Sequence, residues 1–387
     1  MSERTSYGMK NIANANGKFT PKLYSEVTSK LEGKNLIMSS LSIECLLAVT
    51  MLGAKGNTAK EISKTFSFPS NNKLLTHGFR DVMKILDIDQ KGSITTEVSN
   101  HIYVRKHLKL RNDFEKNVNN IQNGVIEKVD FSDSARAAKA INDQVKKDTK
   151  GKITKLFSKD AIEGNTELVL VNALYFKGKW KSEFNKDSTK EDDFYISKSN
   201  KVKADFMHAR SQYSIVDIKN AKARALQLPY KGDRFSMVVI LPNDRDGIEK
   251  LEQDITRINL SEDIQFEKPR KTYQITIPKF KIKSSMELIK TLKRLGVKDL
   301  FDPRSADLSG FSGSKSLYAS TLLQKAFIEV NEEGTEAAAA TGMVVSSRSM
   351  QPKPPTFVCD HPFIFYIKDS KTGLILFTGR IVNPSEN

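Results

Sequence analysis

The segment VNEEGTEAAAATGMVVSSRSMQPKPP, residues 330–355, lies between two strongly hydrophobic stretches and commits to no secondary structure. Four consecutive alanines, Ala337 to Ala340, favour helix. Thr341, Gly342, Val344, Val345, Ser346 and Ser347 do not, and Pro352, Pro354 and Pro355 close the segment. Read as a strand, alternation puts Thr335, Ala337, Ala339, Thr341, Met343 and Val345 on one face, all small or apolar. Glu336, Ala338, Ala340, Gly342 and Val344 take the other. A segment able to be loop or strand is a candidate switch. An ordinary flexible loop is the competing reading.

The chain on either side is clearly patterned. Phe19, Leu23, Val27 and Leu31 recur at helical spacing, with Thr20-Pro21 as cap and first turn. A second helix is expected to follow Ser42, carry Ile43, Leu46, Leu47, Val49 and Leu52, and end near Gly53. Asn57-Thr58 opens the next segment. Residues 73–87 and 134–149 read as amphipathic helices. LVLVNALYF (168–176) is an almost unbroken apolar run, the mark of a strand covered on both faces. RFSMVVILP (234–242) and YQITIPKFKI (273–282) read as further strands, and FIFYI and LILFTGRIV flank KDSKTG as a hairpin. Helices and strands mix without regular βαβ alternation. This predicts an α+β fold with large antiparallel sheets, and no repeat or linker divides the chain, so residues 1–387 are expected to form one domain.

Composition narrows the function classes. The 387 residues are 39% hydrophobic and 28% charged, as in a globular protein rather than a disordered one. No run approaches the roughly 18 apolar residues that span a bilayer. The N-terminus, MSERTSYGMKN, shows no apolar leader region. The two cysteines, Cys45 and Cys359, match no metal spacing and read as buried small hydrophobes. A net charge of +16 and a pI near 9.5 invite an anionic partner. Asn259-Leu260-Ser261 is a glycosylation sequon.

Catalytic signatures are scarce. The chain has no GxSxG elbow, P-loop, HExxH or dinucleotide fingerprint. His77, His101, His107, His208 and His361 show no ligand spacing. No metal and no catalytic residue is expected, and an enzyme has no motif in its favour.

Several stretches resemble one family. QKAFIEVNEEGTEAAAAT (324–341) resembles the hinge of the serpins, and FVCDHPFIFYI (357–367) with TGRIVNP (378–384) resembles their C-terminal signature. VNALYFKGKWKSEF (171–184), NLIMSSLSI with GAKGNTAKEI (35–62) and ITIPKFKIKSSMELIKTLKRLGVKDLF (275–301) are similar to further serpin segments. The resemblance covers essentially the whole chain and is closest to inhibitory animal serpins, arthropod immune serpins among them. It implies three β-sheets, about nine helices and an exposed reactive loop at about 332–355.

It also implies a mechanism. A protease attacks the loop, forms an acyl-enzyme, and is trapped when the cut loop inserts into the main sheet. The implied hinge is Glu332, Glu333, Gly334, Thr335, Glu336, Ala337, Ala338, Ala339, Ala340 and Thr341, free of the proline or bulky inward side chain that would block insertion. In inhibitory members the scissile residue ends a seventeen-residue stretch opened by the hinge glutamate. Counted from Glu332, this is Arg348, with Ser349 after it. An arginine there fits a trypsin-like protease; a cut after Met350 is the alternative. The implied sheet-opening residues are Ser39, Ser42, Asn172, Trp180 and Gln324. Two positions depart from the family pattern: Ser40 stands where proline is common, and Gln324 where many members have histidine that bonds near Asn172.

Some serpins are accelerated by heparin-like polysaccharides. Lys73, His77, Arg80 and Lys84 form one stripe opposite Leu75, Phe79, Val82 and Leu86, and Lys146, Lys147 and Lys150 form a second basic group. These are the candidate polyanion-binding residues. A solvated helix face is the plainer reading, and no aromatic pattern accompanies the lysines to favour nucleic acid. The expectation is therefore a monomeric inhibitor of a trypsin-like serine protease, forming a covalent complex, with no cofactor except a heparin-like activator and no membrane partner. A secreted, immune role is favoured, with the cytoplasm as the alternative. A non-inhibitory serpin acting as a binding or carrier protein is the competing function.

Overall fold

The computed structural model describes residues 7–31, 33–69, 71–86, 93–121, 125–269, 271–335 and 353–386. Its helices are α1 (Tyr7–Thr28), α2 (Ser40–Gly53), α3 (Gly56–Phe66), α4 (Asn72–Leu86), α5 (Asn112–Asn119), α6 (Ser134–Asp148), α7 (Ile248–Asp254), α8 (Ile289–Leu295) and α9 (Ser309–Ser312). Its strands are β1 (Leu36–Met38), β2 (Ile94–Arg105), β3 (Ile126–Val129), β4 (Leu168–Lys179), β5 (Lys190–Tyr195), β6 (Lys201–Ile218), β7 (Ala223–Pro229) and β8 (Phe235–Pro242), then β9 (Lys271–Pro278), β10 (Phe280–Glu287), β11 (Ala319–Val330), β12 (Gly334–Thr335), β13 (Thr356–Val358), β14 (Phe363–Asp369) and β15 (Ile375–Ile381).

The architecture is α+β with three sheets. One sheet has the order β10-β11-β4-β2-β3, with β12 paired to β4. The other strands form a network that bends along β6. Lys201–Phe206 pairs with β5, Phe206–Tyr213 with β9, and Ser214–Ile218 with β7. Strand β9 leads on to β13, and β7 leads through β8, β14 and β15 to β1.

The apolar run of β4 explains the layering. Leu168, Leu170, Leu174 and Phe176 join the large core beneath the sheet, whereas Val169, Val171 and Ala173 join the smaller core under α6. Period-two alternation thus sends one strand into two cores. Helix α2 is buried along its whole length, as its all-round apolar character requires. No helix among the described residues is long and apolar enough to cross a membrane.

Three sequence expectations need correction. Thr20-Pro21 does not begin a helix; Pro21 lies inside α1. Proline removes the N–H that would bond the Gly17 carbonyl, and that carbonyl accepts from Leu260 N at 3.3 Å instead. The approach requires glycine, because a Cβ at Gly17 would lie 2.1 Å from Asn259 Oδ1. Asn259 itself is buried and bonded to Glu262, so the sequon presents no free amide for a glycan. Helix α2 begins at Ser40 rather than after Ser42, because Ser39 caps it by accepting from Ser42 N at 3.2 Å. The 273–282 stretch is two strands in two sheets, parted at Lys279, whose N–H bonds Asp205 O. The 357–382 hairpin forms as expected.

Candidate functional site

The expected hinge begins where β11 ends, after Val330. Strand β2 holds one edge of β4 from Leu168 to Gly178. The opposite edge is held by β11, in parallel, only up to Tyr175. There the chain leaves the ladder, turns through Asn331–Gly334, and comes back antiparallel: Gly334 pairs with Lys179 and Thr335 with Gly178. The turn closes by Asn331 N to Gly334 O at 2.8 Å. Gly334 has φ +143°, and a Cβ there would lie 2.1 Å from Gly178 O, so only glycine fits. The return is anchored on Trp180, whose N–H bonds Glu333 O and whose indole bonds Asn331 O, both at 3.0 Å. The indole stacks on Tyr230 at 4.6 Å.

The two hinge carboxylates are buried and pinned. Glu332 accepts from Thr189 at 2.7 Å and lies 3.1 Å from Lys279 Nζ; Glu333 lies 2.5 Å from Lys186 Nζ. Burial pushes the Glu332 carboxyl up, but its hydrogen bonds and Lys279 outweigh this and hold it below the usual range. Glu336 to Thr341, Arg348 and Ser349 lie outside the described residues.

Beneath the sheet, the sequence-named opening residues form one buried network. Gln324 accepts from Ser39 N at 3.0 Å, and donates to Ser39 O at 2.8 Å and to Asn172 Oδ1. An amide that accepts and donates at once does here what the resemblance assigned to histidine. Asn172 donates to Ser42 and Asn100, and Ser42 donates to Asn100 at 2.8 Å. The network ties α2 to β2, β4 and β11 across the line where β11 and β4 meet. Trp180 lies apart from it, at the hinge.

Sequence reasoning missed Asn100 and a second cluster beside it. Ser40 bonds Thr20, and Asn16 donates to Thr20, Ser40 and Glu44 at 3.4, 3.3 and 3.2 Å. Glu44 is completely buried, and its Oε2 has no partner among the described residues. Burial pushes its carboxyl up to about 8, against the smaller pull of Asn16. A single acid inside SLSIECLLAVTMLG was the readable signal.

A further contact clamps α6 to the sheet. His101 on β2 lies 2.7 Å from Asp148 at the end of α6 and 3.0 Å from Glu127 on β3. Burial pulls the imidazole down, but hydrogen bonds to Asp148 and Glu127 prevail and raise its pKa to about 9. Nearby, Glu97 pairs with Lys150, and Tyr103 stacks on the His101 ring. A raised histidine pKa stabilises the folded state fully below about pH 6.5, and this is lost as pH rises through about 9. His101→Gln is therefore expected to destabilise the protein by about 3 kcal/mol at pH 6.5 and by little at pH 10. Apparent melting temperatures across that range check it; an equal loss at both pH values refutes the charged clamp.

The polyanion candidates are unequal. Lys73, His77, Lys146 and Lys147 are exposed. Arg80 donates to Asn120 O at 2.7 Å, Lys84 pairs with Asp81 at 3.3 Å, and Lys150 is held by Glu97.

Strands β4 and β11 thus form a parallel pair, and the segment after β11 turns back antiparallel along the end of β4. The comparisons name the class. The family described as "Serpin (serine protease inhibitor)" matches residues 14–384, and the chain belongs to it. It is 35% identical to human leukocyte elastase inhibitor over 97% of this chain and 100% of that one. The structure of Serpin48 from the insect Tenebrio molitor, described as a highly specific serpin, superposes with a TM-score of 0.86 at 37% identity, covering 96% of this chain and 98% of the other. Human thyroxine-binding globulin, in complex with its hormone, superposes with a TM-score of 0.85 at 27% identity, covering 98% and 100%.

Proposed function

We propose that this serpin is a suicide-substrate inhibitor of trypsin-like serine proteases, with Arg348–Ser349 as the bait bond. The protease serine Oγ attacks the Arg348 carbonyl carbon. The Arg348–Ser349 bond breaks, the amine leaves on Ser349, and an ester joins Arg348 to the protease. Glu336 to Thr341 then follow Gly334 and Thr335 down β4, parting it from β11, which holds that edge up to Tyr175. The antiparallel return of Gly334 and Thr335 supports this reading most directly, because it sets the direction and register of the incoming strand.

Specificity belongs to the loop rather than to the family. The relative named for elastase shares the scaffold, whereas the arginine here suits a pocket closed by aspartate. The similarity to thyroxine-binding globulin is what favours the carrier reading, and small residues through the hinge weigh against it. Cys45 and Cys359 are free and buried, so the fold draws no stability from an oxidising compartment, and we favour the cytoplasmic alternative over secretion.

Incubation with trypsin tests the reading. The expected result is an adduct stable in SDS and a released peptide beginning at Ser349. Complete cleavage at Arg348 with no adduct would refute inhibition of trypsin and favour the carrier.

A further inference from the structure

We infer that the cleft between α1, α3 and the turn after α8 binds a compact organic polyphosphate of the cyclitol type. The inference goes beyond protease inhibition, and its test needs no protease. The cleft measures about 470 Å³, within the usual range for small-ligand sites. Lys22 of α1, Lys60 and Lys64 of α3, and Lys298 after α8 line it. No residue of the hinge or of the opening network does. Thr65 donates to Leu295 O at 3.4 Å and so joins the α3 wall to the end of α8.

The charges of the cleft are unbalanced because its acids are spent elsewhere. Among the described residues, Glu61 is the one carboxylate in the lining. Its Oε2 accepts the N–H groups of Lys298 and Asp299 at 2.7 and 2.8 Å, and its Oε1 accepts from Asn57 at 3.1 Å. Asp299 accepts from Asn57 at 2.8 Å. Glu26, the one acid of α1, pairs with Arg294. Among the described residues, Lys22, Lys60, Lys64 and Lys298 meet no carboxylate, and all four are exposed. Lys60 and Lys64 stand one turn apart on one helix face, where like charges repel. An anion seated between the walls relieves that repulsion.

The lining chooses among anions. Four ammonium groups and no guanidinium suit phosphates held by point charge rather than a carboxylate gripped by a planar fork. Phe19 is 3% exposed and packs on Phe66 at 4.4 Å, so the cleft offers no free ring face to a base. This favours a phosphorylated ring alcohol over a nucleotide. A compact ligand is favoured over a long chain, because the lysines converge on one concavity from three walls rather than following a line.

The test is calorimetric titration of the full-length protein with inositol hexakisphosphate at about 0.15 M salt, which screens distant charges. Lys60→Ala with Lys64→Ala is compared with Lys146→Ala with Lys147→Ala, which removes the same charge from an exposed stretch of α6. The cleft pair is expected to weaken binding at least ~10-fold, through lost charge-assisted hydrogen bonds. The α6 pair is expected to stay within about twofold. Lys22→Ala with Lys298→Ala, from the other two walls, is expected to weaken binding as the α3 pair does, and decides the matter should the α3 pair lower the melting temperature. ATP, with fewer phosphates and a base that finds no ring to stack on, is expected to bind at least ~10-fold more weakly than inositol hexakisphosphate. Absence of binding by the intact protein, an equal loss from the α6 pair, or tighter binding of ATP would each overturn the assignment.

Discussion

Arg348→Glu is expected to abolish the SDS-stable adduct with trypsin. The specificity pocket of a trypsin-like protease is closed by a buried aspartate. Arginine satisfies that carboxylate; glutamate places a second carboxylate against it. Losing one partner of a buried charge pair costs about 2–5 kcal/mol, and a like charge adds to this, so association should slow by ~10³-fold or more. A melting temperature equal to that of the wild type is expected and checks that the variant retains its fold. Measuring the second-order rate of adduct formation with trypsin and with an elastase-like protease separates specificity from mechanism. An unchanged trypsin rate would move the cut elsewhere, Met350 being the alternative.

Glu44→Gln is expected to raise stability and blunt inhibition together. Glu44 is wholly buried with one oxygen unpartnered, and among the described residues no opposite charge acts on it. The neighbouring Cys45 thiol is the other ionisable group coupled to it, itself pushed up first by burial and then by the Glu44 charge. With the carboxyl raised from 4.5 to about 8, the folded state holds a proton that the unfolded chain has released. Stability from this group is therefore complete below about pH 4.5, falls as pH rises to about 8, and is flat beyond. At pH 7 the deficit is about 3 kcal/mol. Glutamine keeps the shape and the Asn16 contact but does not titrate. The apparent melting temperature at pH 7–8 should rise by about 5 °C, and the decline between pH 4.5 and 8 should flatten. In the proposed mechanism, free energy stored in the native state drives insertion, so less adduct and more cleaved protein should form per trypsin. A melting temperature that tracks the wild type across pH would refute the account.

The sequence and the structure divide the work unevenly. Helices α4 and α6 were legible because one helical period of apolar residues ran through each, and strand β4 because its apolar run is almost unbroken. Pro21 misled because proline is usually a helix opener; a distant N–H, that of Leu260, satisfies the carbonyl it leaves free. The 273–282 stretch misled because alternation continues across Lys279 while the sheet changes. Ser39, Ser42, Asn172 and Gln324 were named through family resemblance, and Asn100 was missed because an asparagine in a strand carries no mark of its partners.

The sequence by itself determined the α+β class, the serpin family, the run of small residues from Ala337 to Thr341 and the single arginine between Glu332 and Lys353. These are properties of residue type and order. Only the tertiary structure decided that Gly334 and Thr335 already return along β4, that His101 clamps α6, that Glu44 is buried without a charge partner, and that lysines from α1, α3 and the turn after α8 line one cleft. Each is a contact between residues far apart along the chain, and burial and electrostatic free energy depend on such contacts rather than on sequence neighbours.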